Sequence, residues 1–153
     1  TLVFKDIALV YGGALGDGEA AEVYRVMRGA SIVTLRAFDG AAELLEKLRT
    51  RGARLFLLSN AQSAFTRGEI DRCGFSDAFD GMLLSSECGV RKPDPEFFRM
   101  LFGKYGIDGK TAVMVGDDQI NDVGGAAAAG IRSVWAKGGA AAHAAEILEL
   151  TEK

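Results

Sequence analysis

The chain has 153 residues, 48% of them hydrophobic and 25% charged, with 18 basic against 21 acidic side chains and a net charge of −3. That length suits one domain with a real core plus a fragment, and excludes two full-sized domains. No basic run or aromatic cluster speaks for nucleic acid, no apolar run reaches the roughly 20 residues of a membrane span, and the N-terminus lacks a signal-peptide pattern, which points to the cytoplasm.

Residues 1–38 read as a helical hairpin. Val3, Phe4, Ile7, Val10 and Tyr11 recur at helical spacing before Gly12-Gly13, and Ala20 to Arg36 follows as a second helix with Val23, Val26, Met27 and Ile32 inward. From residue 39 onward helical and strand patterns alternate, the order that builds a parallel sheet covered by helices on both faces. Asp39 is placed to cap a helix whose stripe is Ala42, Leu44, Leu45 and Leu48, ended by Arg51-Gly52. Ala53 to Leu58 is an almost unbroken apolar strand leading to Ser59-Asn60.

A helix over 63–73 turns Phe65 and Ile70 inward, and Gly81 to Ser85 makes a short strand. Asp94-Pro95 opens the next helix, with Asp94 as cap, Pro95 at the first helical position and Phe97, Phe98, Leu101 and Phe102 as the buried stripe. Thr111 to Val115 is a strand, Ile120 to Ala129 the helix behind it, Ile131 to Trp135 the last strand, and 139–149 a terminal helix. Gly124, Gly125 and Gly130 fit close helix-to-sheet packing and a helix stop. Cys73 and Cys88 lack CxxC spacing and read as reduced thiols, and His143 reads as a surface residue.

The chemistry concentrates where strands end. Val113-Met114-Val115-Gly116 runs straight into Asp117, Asp118 and, four residues later, Asp122. Such carboxylates repel one another and lose hydration at the end of a buried strand, which a cation among them relieves. Asp117 and Asp122 are therefore candidate Mg²⁺ ligands, while Asp118 is explained as a helix cap.

Ser59, with Asn60, ends another strand, where a hydroxyl and the N–H groups of the following helix can hold a phosphoryl oxygen. Lys92, in the loop before Pro93-Asp94-Pro95, can neutralise charge developing on that phosphoryl group. In an open parallel sheet, ligands collect at the carboxyl ends of strands, so these three ends can serve one site.

Together these segments resemble the haloacid dehalogenase superfamily over roughly residues 38–137. Leu57-Leu58-Ser59-Asn60 is similar to its second motif, Lys92-Pro93-Asp94-Pro95 to its third, and Gly116-Asp117-Asp118 with Asn121-Asp122 to its fourth; Phe79-Asp80-Gly81 and Ser85 to Val90 resemble the intervening linker. The resemblance implies a Rossmann-like core (39–153) with a helical cap, of which 1–38 is a remnant. It also implies a Mg²⁺-dependent phosphatase of small phosphorylated metabolites that works through an aspartyl-phosphate. On that reading Lys92 and Asp117 are catalytic, Ser59, Asn60 and Lys92 hold the phosphate, and Asp117 and Asp122 hold the metal. The paired acids favour phosphate-ester hydrolysis over dehalogenation.

One departure stands out. The family's first motif, an N-terminal strand with two aspartates in Asp-x-Asp order, has no counterpart; forcing Asp6 into the nucleophile's place leaves Ala8 where the acid/base belongs. The expectation is a C-terminal portion of a longer protein, inactive alone, with a gap between the strands ending at Ser59 and Asp117. The alternatives are a non-catalytic phosphate- and metal-binding relative, whose residues 2–10 form a degenerate first strand, and, third, a 2-haloacid dehalogenase.

Overall fold

A computed structural model of the chain describes residues 7–151, apart from the side chains of Ser31 and Ile32, and divides it into two compact units between Arg36 and Ala37. In the first unit a helical turn at 7–10 ends at Gly12, where φ is 76°. Helix α1 spans Asp17–Thr34. Its start matches the dipole, with Asp17 and Glu19 in the first turn and Glu19 Oε2 accepting the Gly16 N–H at 2.9 Å.

The inward stripe expected of this helix is not observed. Ala20 is buried, but Val23, Met27 and Val26 are exposed, the last by 56%. Val10 and Tyr11 are exposed as well. A unit this small has too little apolar material to close a core of its own. Val3 and Phe4, and the Ile32 side chain, lie outside the described residues.

The second unit opens with α2, Ala41–Thr50, whose Leu44 and Leu48 are buried while Ala42 faces solvent. Asp39 does not cap it. Gly40 takes the cap position in a left-handed conformation (φ 77°) and no side chain bonds the first turn. Strand β1, Phe56–Ser59, starts three residues later than the apolar run. Just before it, Asp80 Oδ2 accepts the Leu55 N–H at 2.6 Å, and the Asp80 N–H donates to the Leu55 C=O at 2.7 Å.

Helix α3, Ser63–Arg72, half-buries Phe65 and Ile70, and β2, Gly81–Leu84, pairs parallel to β1 with Ser59 opposite Leu84. The free edge of β2 is blocked by Tyr105, whose hydroxyl accepts from the Met82 N–H at 3.1 Å and donates to its C=O at 3.0 Å. A short turn α4, Ser85–Cys88, follows, unforeseen in the sequence. Helix α5, Pro95–Tyr105, then starts as expected, with Asp94 accepting the Glu96 N–H at 2.9 Å and Phe97, Phe98 and Leu101 buried.

Strand β3, Val113–Gly116, leads into one π-helical turn, Gln119–Gly124, which becomes α-helical as α6, Gly125–Ala128. A Cβ on Gly125 would press on Pro93 and Phe98, so the expected close packing holds there, and Gly130 (φ 73°) ends the helix. Gly124 meets no such neighbour. Strand β4, Arg132–Trp135, pairs parallel to β3, and a 3₁₀ turn, Ala140–His143, precedes α7, Ala144–Leu150.

The α/β class is as the sequence indicates, with both faces covered. Leu58, Leu83, Phe97, Phe98 and Leu101 form one core cluster, joined by Met114; Leu44, Leu48, Val134 and Ile147 form the other, joined by Val113 and Val115. The alternation along β3 sends neighbouring side chains to opposite layers. The strands form two parallel pairs, β1 with β2 and β3 with β4, with no ladder between β1 and β3, the place where the gap between the strands ending at Ser59 and Asp117 is expected. Among the described residues no strand pairs with the remaining edge of β1 or of β3. Residues 7–10 are helical, so the described part of the suggested degenerate strand is not a strand.

Candidate active site

The ends of β1 and β3 are joined through one buried lysine. The Lys92 ammonium donates to the Leu58 C=O at 2.7 Å and lies 2.6 Å from Asp122 Oδ1, with the two side chains only 10% and 6% exposed. Ammonium and carboxylate are in contact but off the hydrogen-bond line, and no other donor is aligned with Oδ1. Burying both ions costs several kcal/mol of hydration each, roughly offset by their attraction, so stability alone gives little reason to keep the pair.

Asn60 fixes the lysine's backbone. Its side-chain Nδ2 donates to the Lys92 C=O and its Oδ1 accepts the Lys92 N–H, both at 2.8 Å, reproducing with one side chain the two bonds of a strand pair. Asn60 was expected against a phosphate; its geometry is that of a clamp on the lysine loop.

The acidic turn is equally constrained. Asp118 Oδ1 accepts the backbone N–H groups of Ile120 and Asn121 at 2.9 and 2.8 Å, and its Oδ2 accepts from Asn121 Nδ2 at 2.6 Å, which makes it the cap expected from the sequence. These donors, the Asn121 N–H first and its side chain second, hold the Asp118 carboxyl below the ordinary range. Asp122 Oδ2 accepts the Asp118 N–H at 3.0 Å. Gly116 lies so close beneath that any Cβ there would overlap the Asp122 carboxylate. The π-helical turn is the local distortion that brings Asp122 back under the strand end, with the Asp122 and Val123 N–H groups sharing the Asp118 C=O.

Asp117 is exposed, and its carboxylate has no partner among the described residues, while its C=O accepts the Trp135 Nε1–H at 2.9 Å. The Ser59 hydroxyl is likewise without a partner among them, one residue beyond the carbonyl that holds Lys92. The structure therefore brings Lys92 and Asp122 into contact, with Ser59 and Asp117 each one residue from a direct partner of that pair or of its clamp. Trp135 and the clamping role of Asn60 were missed; for Trp135 the only available sign was its place at a strand's carboxyl end.

Among the described residues no group of three or more His, Cys, Asp or Glu side chains is gathered to hold a metal ion. The carboxylates that would hold Mg²⁺, an ion that takes one or two carboxylates and fills its remaining positions with water and phosphate oxygens, are Asp117, which has no partner among the described residues, and Asp122, whose buried Oδ1 has the Lys92 ammonium beside it but no hydrogen bond.

A family model described as haloacid dehalogenase-like hydrolase matches residues 6–130. The chain belongs to this family. Among curated relatives, it is 39% identical over 98 residues to a phosphoserine phosphatase of Thermus thermophilus, covering 64% of this chain and 39% of that one. It is 33% identical over 105 residues to a glyceraldehyde 3-phosphate phosphatase of Pyrococcus abyssi, covering 69% and 44%. The crystal structure of a haloacid dehalogenase-type phosphatase from Thermococcus onnurineus superposes with a TM-score of 0.61 at 29% identity, over 65% of this chain and 46% of that one. The chain thus spans less than half the length of these relatives. Among the described residues no helix is long and apolar enough to cross a membrane.

Two predictions follow from the ion pair and the cap. Lys92→Met and Asp122→Asn should each lower unfolding free energy by about 3–5 kcal/mol, and the double variant should lose less than the sum, measured by urea denaturation; strictly additive losses would show that the pair is not coupled. Because the Asp118 carboxyl is depressed on folding, its contribution is present above its unfolded value near about pH 4 and disappears as acid carries the pH down through the folded value. The melting-temperature gap between wild type and Asp118→Ala should therefore be full at neutral pH and close in acid; a gap unchanged into acid would contradict the cap.

Proposed function

We propose that this chain is the phosphate- and metal-holding part of a Mg²⁺-dependent phosphatase acting on small phosphorylated metabolites. The observation that carries the reading is the buried Lys92 ammonium, fixed between the Leu58 carbonyl and Asp122. Its two neighbours leave a donor position open, and a preorganised cation there lowers the energy of charge developing on a phosphoryl group without reorganising. Ser59 offers a hydroxyl to a phosphoryl oxygen at the end of β1, while Asn60 keeps the lysine loop in register. Asp117 and Asp122 would hold Mg²⁺, which supplies neutralisation of phosphate charge and a template for its orientation. The attacking carboxylate, on this reading, comes on an Asp-x-Asp strand seated between the unpaired edges of β1 and β3, a strand the described residues do not provide.

Support comes from the family match and from relatives whose names are those of phosphatases of small phosphorylated compounds. The test compares p-nitrophenyl phosphate hydrolysis with Mg²⁺ by the 153-residue chain and by the chain joined to such a strand. The joined form should turn over, the short chain should not, and Asp117→Ala should abolish turnover. Hydrolysis indifferent to Asp117, or halide release from a 2-haloacid without Mg²⁺, would refute the reading.

A further inference from the structure

Trp135 is the only tryptophan of the chain and stays 42% exposed at the carboxyl end of β4. Burial therefore accounts poorly for its fixed place. Across the ladder its register partner is Gly116, whose C=O accepts the Ala136 N–H at 2.8 Å. One residue further, where the strand pairing has ended, the indole Nε1–H takes over and donates to the Asp117 C=O at 2.9 Å. The N–H of that same peptide group belongs to Asp118 and is held by Asp122 Oδ2 at 3.0 Å.

A peptide unit is planar, so fixing its C=O on one side and its N–H on the other fixes the plane. The plane in question follows directly on the Cα of Asp117, so its orientation limits where that carboxylate can reach. Lys137, whose ammonium lies 5.6 Å from the indole ring centroid, adds a cation–π contact to the ring.

We propose that Trp135 is a positioning residue for divalent-cation binding, acting through the peptide that carries Asp117; the proposal rests on the reading of Asp117 as a ligand. The indole touches neither cation nor phosphate. It removes a rotational freedom that the carboxylate would otherwise lose on binding, and removing such an outer partner weakens metal affinity by about tenfold or more. Because this indole N–H is the chain's sole tryptophan signal, the same bond also makes it a spectroscopic reporter of the site.

The experiment uses the 153-residue chain and Mn²⁺ as probe, with free ion counted by electron paramagnetic resonance for wild type, Trp135→Phe and Asp117→Asn. In parallel, the indole ¹H–¹⁵N resonance of the wild type is followed during Mg²⁺ addition. Trp135→Phe should bind Mn²⁺ about tenfold more weakly at an unchanged circular dichroism spectrum, Asp117→Asn should bind more weakly still, and the indole resonance should shift with saturation. If Asp117→Asn weakens binding but Trp135→Phe does not, Trp135 has no positioning role and the ligand reading stands. If Asp117→Asn binds like wild type, the ligand reading itself fails. Should Trp135→Phe fail to fold, Trp135→His, which keeps an aromatic ring but moves its N–H, is read by the same Mn²⁺ count: weaker binding supports the proposal, while unchanged binding, or a wild-type indole signal indifferent to Mg²⁺, overturns it.

Discussion

The contact between Lys92 and Asp122 is the constraint on which the rest of the site depends. The two strand pairs share no ladder among the described residues, yet the ammonium binds the β1 backbone at Leu58 and the carboxylate belongs to the turn after β3. Two opposite charges at this depth give little net stability, and either alone would be expensive. A fold that keeps both there gains chiefly a fixed positive charge beside a fixed negative one. In the proposed function that arrangement serves a dianionic ligand with a divalent cation; the chain belongs to the haloacid dehalogenase-like hydrolases.

Around that pair, each chemically useful group is set in place by a neighbour that does no chemistry itself. Asn60 clamps the backbone of Lys92, Asp118 caps the turn that carries Asp122, and Gly116 leaves the space Asp122 occupies. The loops at the strand ends are thereby each tied by several hydrogen bonds, while Ser59 and Asp117 keep their side-chain polar groups without partners among the described residues. Preorganised donors beside unsatisfied acceptors are what binding and electrostatic catalysis require, since the orienting cost has been met during folding.

Much of this was legible in the chain itself. The acids after Val113 to Gly116, the Asp94-Pro95 helix start and the Phe97, Phe98, Leu101 stripe depend on spacing along one element, and spacing is what a sequence displays. The features missed depend on partners distant in the chain. Asp80 bonds Leu55, twenty-five residues away, and Asn60 meets Lys92 across thirty-two, so neither could be read from local pattern. Val23, Val26 and Met27 show the converse, because a helical stripe specifies a face and not what covers it. The site residues themselves stood out by type and position, and their mutual arrangement came only with the fold.

The most direct test of the central claim, that the ends of β1, the Lys92 loop and the acidic turn form one site, is a backbone ¹H–¹⁵N titration of the chain with inorganic phosphate in the presence of Mg²⁺. The account predicts that the amides of Ser59 and Asn60, of Lys92 and of Asp117 to Asp122 shift together along a single saturation curve. Shifts confined to one of the three segments, or following unrelated curves, would contradict it.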